Sequence, residues 1–384
     1  EAVRRLSEAA APPLVLGISM VMHDVTVASV LGGRVLGVVE LERLHKVRYF
    51  DLVQTWRSEG VSIRQAVQRY VVPALRQLCE LSISRAEGRI APASAGVPCE
   101  LSYDVAAVVD PNTRRDLLQE VQEHVKASFW VTVDHHHAHA ALGWLSSPFY
   151  HRLGSGSNST LVLSYDGFGN DGNLRTFIGH EGVAALTPLG RAETRNSLGN
   201  NYLAAASAVR DLAWGTPYGA NPPAAYDVDP RAQASLPGSF MAYAATGGIR
   251  YEWLLGAKVL LLNGLWDAVL WPSPYGGSCA LIASPAAVQR QSISVLFAMG
   301  VQLYFGCGGA GEEEASRQLD RDFAATVQAA FETAVVAKVR KRLRSARKFA
   351  PTNLVVSGGC ALNVKANSAL ARELNLFVHV PSAP

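Results

Sequence analysis

His135 and His139 stand four residues apart in the tract Asp134-His135-His136-His137-Ala138-His139-Ala140, directly ahead of an Ala- and Leu-rich stretch that reads as helix. Side chains at that spacing share one helix face. Two neutral imidazoles on one face form half of a metal site, which oxygen or nitrogen ligands from elsewhere in the fold would complete. A helix cannot aim adjacent residues at one ion, so His136 and His137 are expected to point outward or to stand behind the ligands. A second segment runs from an apolar strand, residues 161–165, into Asp166 and then Gly167, Gly169 and Gly172. An acid at a strand's end, followed by bare backbone, suits metal or phosphate. In a third, the strand at 353–356 enters the pair Gly358-Gly359 and then Cys360-Ala361-Leu362-Asn363 and an Ala-rich helical pattern. Bare amides at a helix start favour anions. Each segment taken singly also has the form of an ordinary strand-to-helix turn. Cys360 shows no basic partner nearby and reads as a small buried thiol rather than a nucleophile.

The elements that must carry these residues follow a plan that occurs twice. Residues 14–19 read as a buried strand, 25–31 as a second, Gly32-Gly33 as a hairpin turn and 34–39 as a third. Residues 160–165, 174–178, the turn His180-Glu181-Gly182 and 183–186 repeat it. Such internal similarity predicts a duplicated α/β fold of two lobes with a cleft between related halves. Between the repeats, the spacing predicts a helix over 62–81, a small-residue loop over 84–98, a strand over 103–109, a helix over 113–128 and a strand over 129–133 that delivers the chain into the His tract. Residues 215–238, with five prolines, read as a surface excursion or a poorly ordered insertion. Phe323, Val327, Phe331, Val335 and Val339 mark one face of a long amphipathic helix over 320–350, and Glu312-Glu313-Glu314 ahead of it reads as a solvated turn.

Composition sets the bounds. A chain of 384 residues, 49% hydrophobic and 17% charged, exceeds what one core usually serves and can build two. A formal net charge of +3 does not indicate nucleic acid. The cations Lys338, Arg340, Lys341, Arg342, Arg344, Arg347 and Lys348 read as the solvated, dipole-complementing end of the long helix. Five scattered cysteines without a Cys-x-x-Cys pair signal neither a disulfide framework nor a zinc knuckle, so a reducing, cytoplasmic compartment is the default. No run reaches the roughly 18 apolar residues of a membrane span.

Three motifs stand in fixed order: Gly17-Ile18-Ser19 with His23-Asp24, then Asp166-Gly167-Phe168-Gly169, then Ser357-Gly358-Gly359-Cys360-Ala361-Leu362-Asn363. The set resembles the phosphate and adenosine loops of the actin, sugar-kinase and Hsp-type ATPase superfamily, with its duplicated, ribonuclease H-like fold. Within it, the His tract resembles the NodU/CmcH family of O-carbamoyltransferases. Supporting matches are His23-Asp24-Val25-Thr26, the Glu42 to Arg48 element, Ser197-Leu198-Gly199, and Asp322-Phe323-Ala324-Ala325-Thr326-Val327-Gln328. Leu41 and His45 depart from the acid and serine usual in that early element. Residues 203–319 keep only an echo of the family, at Lys258 and at Tyr275-Gly276.

The resemblance implies an extension over 1–13, a first lobe over 14–159 with the His motif, and a second over 160–384 that diverges at 203–319. It also implies that a last metal-binding Asp and a smaller carbamoyl-adenylate-forming domain would lie beyond Pro384. The implied reaction moves a carbamoyl group from carbamoyl adenylate, made from carbamoyl phosphate and ATP, to a hydroxyl of a small-molecule acceptor. His135, His139 and Asp166 would hold a divalent metal, iron(II) by resemblance, while the donor set itself equally admits zinc or manganese. Gly358, Gly359, Gly167 and Gly169 would seat nucleotide, Asn363 would fix it, and His23 with Asp24 would line the transfer centre, His23 as candidate base. Two alternatives stay open: a tRNA threonylcarbamoyl transferase of the same superfamily, and a catalytically inactive nucleotide-binding module.

Overall fold

In the computed structural model the described residues are 12–20, 25–47, 50, 52–90, 99–109, 115–151, 159–194, 197–207, 209, 212, 230–263, 268–272, 278–282, 305–307 and 313–382. His23, Asp24, Glu312, Tyr275 and Gly276 lie outside them. The chain divides into two compact units, Glu1–His135 and His136–Pro384.

The first unit is built on five strands, β1 (Leu14–Ser19), β2 (Thr26–Leu31), β3 (Arg34–Glu40), β4 (Ser102–Val109) and β5 (Lys126–Val133), in the order β3-β2-β1-β4-β5. The β2–β3 turn is tight because Gly32 and Gly33 both take positive φ, 56° and 83°, as a two-residue hairpin of that twist requires. β1 pairs antiparallel with β2 and parallel with β4, and β4 pairs parallel with β5. Alternate residues of β1, Leu14, Leu16 and Ile18, enter a core shared with Leu36, Phe50 and Leu78. The helical stretch expected over 62–81 runs on through α1 (Val72–Arg85), so the loop expected from Ser84 starts later. It contains a π turn at Val67–Val71, and His45 Nε2 lies 3.3 Å from the Tyr70 carbonyl in that turn. The helix expected over 113–128 is shorter: α2 (Arg115–Gln122) ends and β5 begins at Lys126, because register with β4 claims Lys126 and Ala127 for the sheet. The cysteines also correct the sequence reading. Cys79 and Cys99 form a disulfide across 20 residues, with Cα atoms 5.9 Å apart, because the chain after α1 returns beside it to enter β4.

The second unit repeats the plan with β6 (Ser159–Gly169), β7 (Gly172–His180), β8 (Val183–Pro188), β12 (Asn353–Ser357) and β13 (Phe377–His379), ordered β13-β12-β6-β7-β8. β6 takes the place of β1: antiparallel to β7, parallel to β12, which is parallel to β13. The same strand order and sense in both sheets is the duplicated, actin-like arrangement that the sequence predicted. Between the two parts of this sheet the chain makes a three-stranded antiparallel sheet of β9 (Ala268–Pro272), β10 (Ser278–Ile282) and β11 (Phe305–Cys307).

Period-two alternation along β6 serves two faces. Leu161, Leu163 and Tyr165 enter one core with helices α4 (Leu198–Ser207), α5 (Pro230–Ala244), α6 (Tyr251–Asn263), α7 (Glu313–Ser345) and α8 (Val364–Leu374). Val162 faces the other way, toward Ala140 and Trp144 of α3 (His135–Leu145), with Phe177 and Val355. Two expectations are corrected here. Part of the proline-rich excursion is helix α5, whose Leu236, Phe240 and Ala244 are buried. The long helix starts at Glu313, so Glu313 and Glu314 belong to its first turn rather than to a turn ahead of it. Among the described residues no helix is long and apolar enough to cross a membrane.

Candidate metal centre

Two buried side chains hold α3 to the second sheet, one near each end. At the C-terminal end the fully buried Trp144 lies against Gly179, where an added Cβ would stand 2.8 Å from the indole, and its Nε1–H donates to the Val183 carbonyl at 2.9 Å. At the N-terminal end His136 is fully buried, with Nε2 2.9 Å from the Gly172 carbonyl and Nδ1 2.8 Å from Ser164 Oγ. A carbonyl only accepts, so Nε2 carries a hydrogen and donates it to Gly172, while Nδ1 pairs with the Ser164 hydroxyl. His136 therefore lies inside rather than outward: it ties the helix to β6 and β7. Asp171 Oδ1 accepts from the His136 backbone N–H at 3.4 Å, and its other oxygen pairs with Arg175 at 2.7 Å. His137 sits beside the Phe177 ring, centroids 5.3 Å apart. With α3 so fixed, His135 and His139 share the remaining face, as their spacing dictates.

Asp166 comes from a different local structure than expected. β6 does not end there: the β6–β7 register breaks between Tyr165 and Gly169 and resumes at Gly169 opposite Gly172. The bulge re-aims the residues it releases. Asp166 Oδ1 accepts the Gly167 N–H at 2.6 Å and Oδ2 the Gly359 N–H at 2.9 Å. Gly358 makes this approach possible: its φ is 91°, and a Cβ there would stand 2.5 Å from the Tyr165 carbonyl oxygen. Gly359 opens a short 3-10 turn, Gly359–Leu362, before α8. The Gly pair was read as a cradle for an anion, and the anion its Gly359 amide holds is the Asp166 carboxylate.

His139 Nε2 lies 3.4 Å from Asp166 Oδ2, and one ligand atom each from His135, His139 and Asp166 falls within 4.8 Å of the others. The donor set fits a divalent metal: two imidazole nitrogens and a hydrogen-bonded carboxylate, each partly open to solvent. The 3.4 Å edge is close to that between two ligands about 2.1 Å from one tetrahedral ion. Beside the cluster, burial and the Asp166 charge together push the Cys360 thiol well above its ordinary value, consistent with an inert thiol.

The remaining predicted residues fall around this bulge. Gly167 lies within it, and a Cβ there would meet Asn200 Oδ1 at 2.7 Å. Gly169 is buried where pairing with β7 resumes. Asn363 is buried: Oδ1 caps α8 by accepting from Ala366 N–H at 3.0 Å, and its amide pairs with that of Gln328. Ser197 is the cap of α4, accepting from Asn200 N–H at 3.1 Å and donating to the Gly167 carbonyl at 2.6 Å. Gly199 lets α4 approach, since a Cβ there would stand 2.8 Å from Gly167 N and 2.7 Å from Cys360 Sγ. Ser164, Tyr202 and Gln328 carry no role legible from spacing, because their partners are distant in the chain.

Residues 290–383 match the family described as Carbamoyltransferase N-terminus. The match includes the Gly358-Gly359 turn and Gln328, while the His tract and Asp166 precede it. Among curated proteins none matches the chain. Full-length HypF in its phosphate- and nucleotide-bound form is similar at 12% identity and a TM-score of 0.45, covering 97% of this chain and 44% of that one. The (R)-2-hydroxyglutaryl-CoA dehydratase component A of Acidaminococcus fermentans is similar at 8% identity and a TM-score of 0.38, covering 97% of this chain and 92% of that one. At these scores neither adds to the fold read from strand order.

Proposed function

We propose that this chain is a carbamoyltransferase that transfers a carbamoyl group from carbamoyl adenylate to the hydroxyl of a small-molecule acceptor, at a divalent-metal site formed by His135, His139 and Asp166. The convergence of those three ligand atoms within 4.8 Å carries the reading. A cation bound there supplies Lewis-acid polarisation and a template for the reactants.

The chain's own residues do the rest. The amides of Gly167 and Gly359 hold the Asp166 carboxyl group in its orientation, one N–H to each oxygen. His136 and Trp144 fix the helix that presents the imidazoles, so little reorganisation is left for the reaction itself. Bare backbone at Gly358, Gly359, Gly167 and Gly169 is the proposed approach for nucleotide, with Gly359 exposed to receive it. In the transfer, the acceptor oxygen forms a bond to the carbamoyl carbon and the bond from that carbon to the adenylate oxygen breaks. AMP leaves, and the hydroxyl proton passes to a base, for which His23 is the proposed group beside Asp24. The two-lobe division at residues 159 and 160 remains part of this proposal, while the expected divergence over 203–319 is narrowed by the family match from residue 290.

The test is acceptor-dependent release of AMP from carbamoyl adenylate, with label from the carbamoyl carbon followed into a panel of hydroxyl compounds. The reading expects release that a chelator removes, that iron(II), zinc or manganese restores, and that His139→Ala lacks. Release unaffected by chelator and by His139→Ala would overturn it.

A further inference from the structure

Gln328, the last residue of the motif Asp322 to Gln328, is buried in α7 and makes four side-chain hydrogen bonds among the described residues. Its Oε1 accepts from Tyr202 Oη–H at 2.6 Å and from Asn363 Nδ2 at 3.0 Å. Its Nε2 donates to Glu332 Oε1 at 2.9 Å and to Asn363 Oδ1 at 3.1 Å. The two amides thus face each other in a closed pair, 35 residues apart in sequence.

Asn363 closes the turn that begins at Gly358. Its N–H donates to the Cys360 carbonyl at 3.1 Å, and the Ala361 N–H donates to the Gly358 carbonyl at 2.8 Å. Asn367 Nδ2 reaches the Ala361 carbonyl at 2.6 Å. The first residue of that turn, Gly359, gives its N–H to Asp166 Oδ2. A continuous set of contacts therefore joins Tyr202 on α4 and Gln328 on α7 to the carboxylate of the candidate ligand.

The geometry points to Gln328 and Asn363 as positioning residues: their amide pair sets the height of the 359–362 turn, and through the Gly359 N–H it sets which way Asp166 presents Oδ2 to a divalent metal. Asn363 then serves the site from within the protein rather than by touching nucleotide. This rests on the metal-site reading above. The β6–β7 register shifts between Tyr165 and Gly169, and the Asp166 carboxylate accepts one N–H from each side of it, from Gly167 and from Gly359. The Gly167 N–H is part of the same bulge and moves with it, whereas the Gly359 N–H is referenced to α7 and α8.

Two substitutions separate this role from folding. Asn363→Ser keeps a helix cap of similar strength but removes both bonds to Gln328. In that variant Gln328 keeps Tyr202 and Glu332 as partners. Gln328→Met removes the same two bonds from the other side, together with those to Tyr202 and Glu332, and leaves the cap, so Asn363→Ser is the variant that isolates the amide pair. The experiment is calorimetric titration of zinc and of iron(II), without nucleotide or substrate, into the parent chain, both single variants and the double variant, with thermal unfolding recorded for each. Expected is a dissociation constant raised about tenfold in each single variant. The double variant should be no weaker than the worse single one, since both break one link. Unfolding midpoints of Asn363→Ser and the parent should stay close. A parent that binds metal, with both single variants within twofold of it, overturns the coupling and leaves the metal site standing. So do effects on metal affinity that simply add in the double variant. A parent that binds no metal overturns the site and this inference with it.

Discussion

The Gly359 backbone N–H meets Asp166 Oδ2 at 2.9 Å across 193 residues of sequence. A Cβ on residue 359 would stand 2.9 Å from Oδ1 and 3.3 Å from Oδ2. Gly359→Ala should therefore turn the carboxylate away from His139 without disturbing a core, because residue 359 is exposed. Metal affinity by titration should fall about tenfold, with the unfolding midpoint nearly unchanged. Equal affinity in parent and variant would remove the Gly pair from the site.

His136 is the second point of control. Replacing it by Ala leaves Ser164 without its ring partner and opens a cavity under α3, at a cost of about 2–4 kcal/mol. Urea unfolding measures that loss. Because the helix start is what presents His135 and His139, metal affinity should fall with it, although His136 itself touches no metal. Retained stability in His136→Ala would show that the buried contacts to Ser164 and Gly172 do not hold the helix.

Much of this was legible in the sequence for local reasons. Short apolar runs bounded by turn residues marked β1, β2, β6 and β7, and i, i+4 spacing marked the paired imidazoles, because both patterns are local and need no knowledge of distant residues. The strand-end Asp and the Gly pair were visible as separate turns. That they meet was not, since the contact between Gly359 and Asp166 depends on β12 pairing in parallel with β6, which residue spacing does not encode. The same holds for Gln328 and Asn363, and for Cys79 and Cys99, partners that only the tertiary path brings together. Helix α5 was missed because its prolines, with Pro237 inside the helix, read as breakers, while burial of Leu236 and Phe240 overrides propensity.

The basic end of α7 is only partly a solvated face. Lys338 and Arg342 both reach Glu193, whose side chain is 23% exposed, and Arg342 does so at 2.9 Å. Burial opposes the charge on Glu193, but the two cations outweigh it and hold its carboxyl below the ordinary 4.5. A depressed folded value means the contribution is present above 4.5 and is lost as pH falls through the folded value. The parent should thus exceed Glu193→Gln in unfolding midpoint at pH 7, and the gap should close on acidification below about pH 4. A gap that stays constant down to pH 3 would contradict this assignment.

The Cys79–Cys99 bridge closes a 20-residue segment between α1 and β4. Constraining the unfolded chain over such a loop stabilises by about 3 kcal/mol. Urea unfolding with and without reductant should show a difference of that order, absent in the double variant Cys79→Ala with Cys99→Ala. No effect of reductant on the parent would argue that the bridge contributes nothing.

The claim on which the rest depends is that His135, His139 and Asp166 bind one divalent metal. The measurement is metal stoichiometry after loading with iron(II) under anaerobic conditions, or with zinc, followed by desalting and elemental analysis. One equivalent should remain in the parent. His135→Ala, His139→Ala and Asp166→Ala should each retain far less, with His136→Gln and His137→Gln close to the parent. Parent-level metal in both His135→Ala and His139→Ala would contradict the site, and the proposed chemistry would lose its centre.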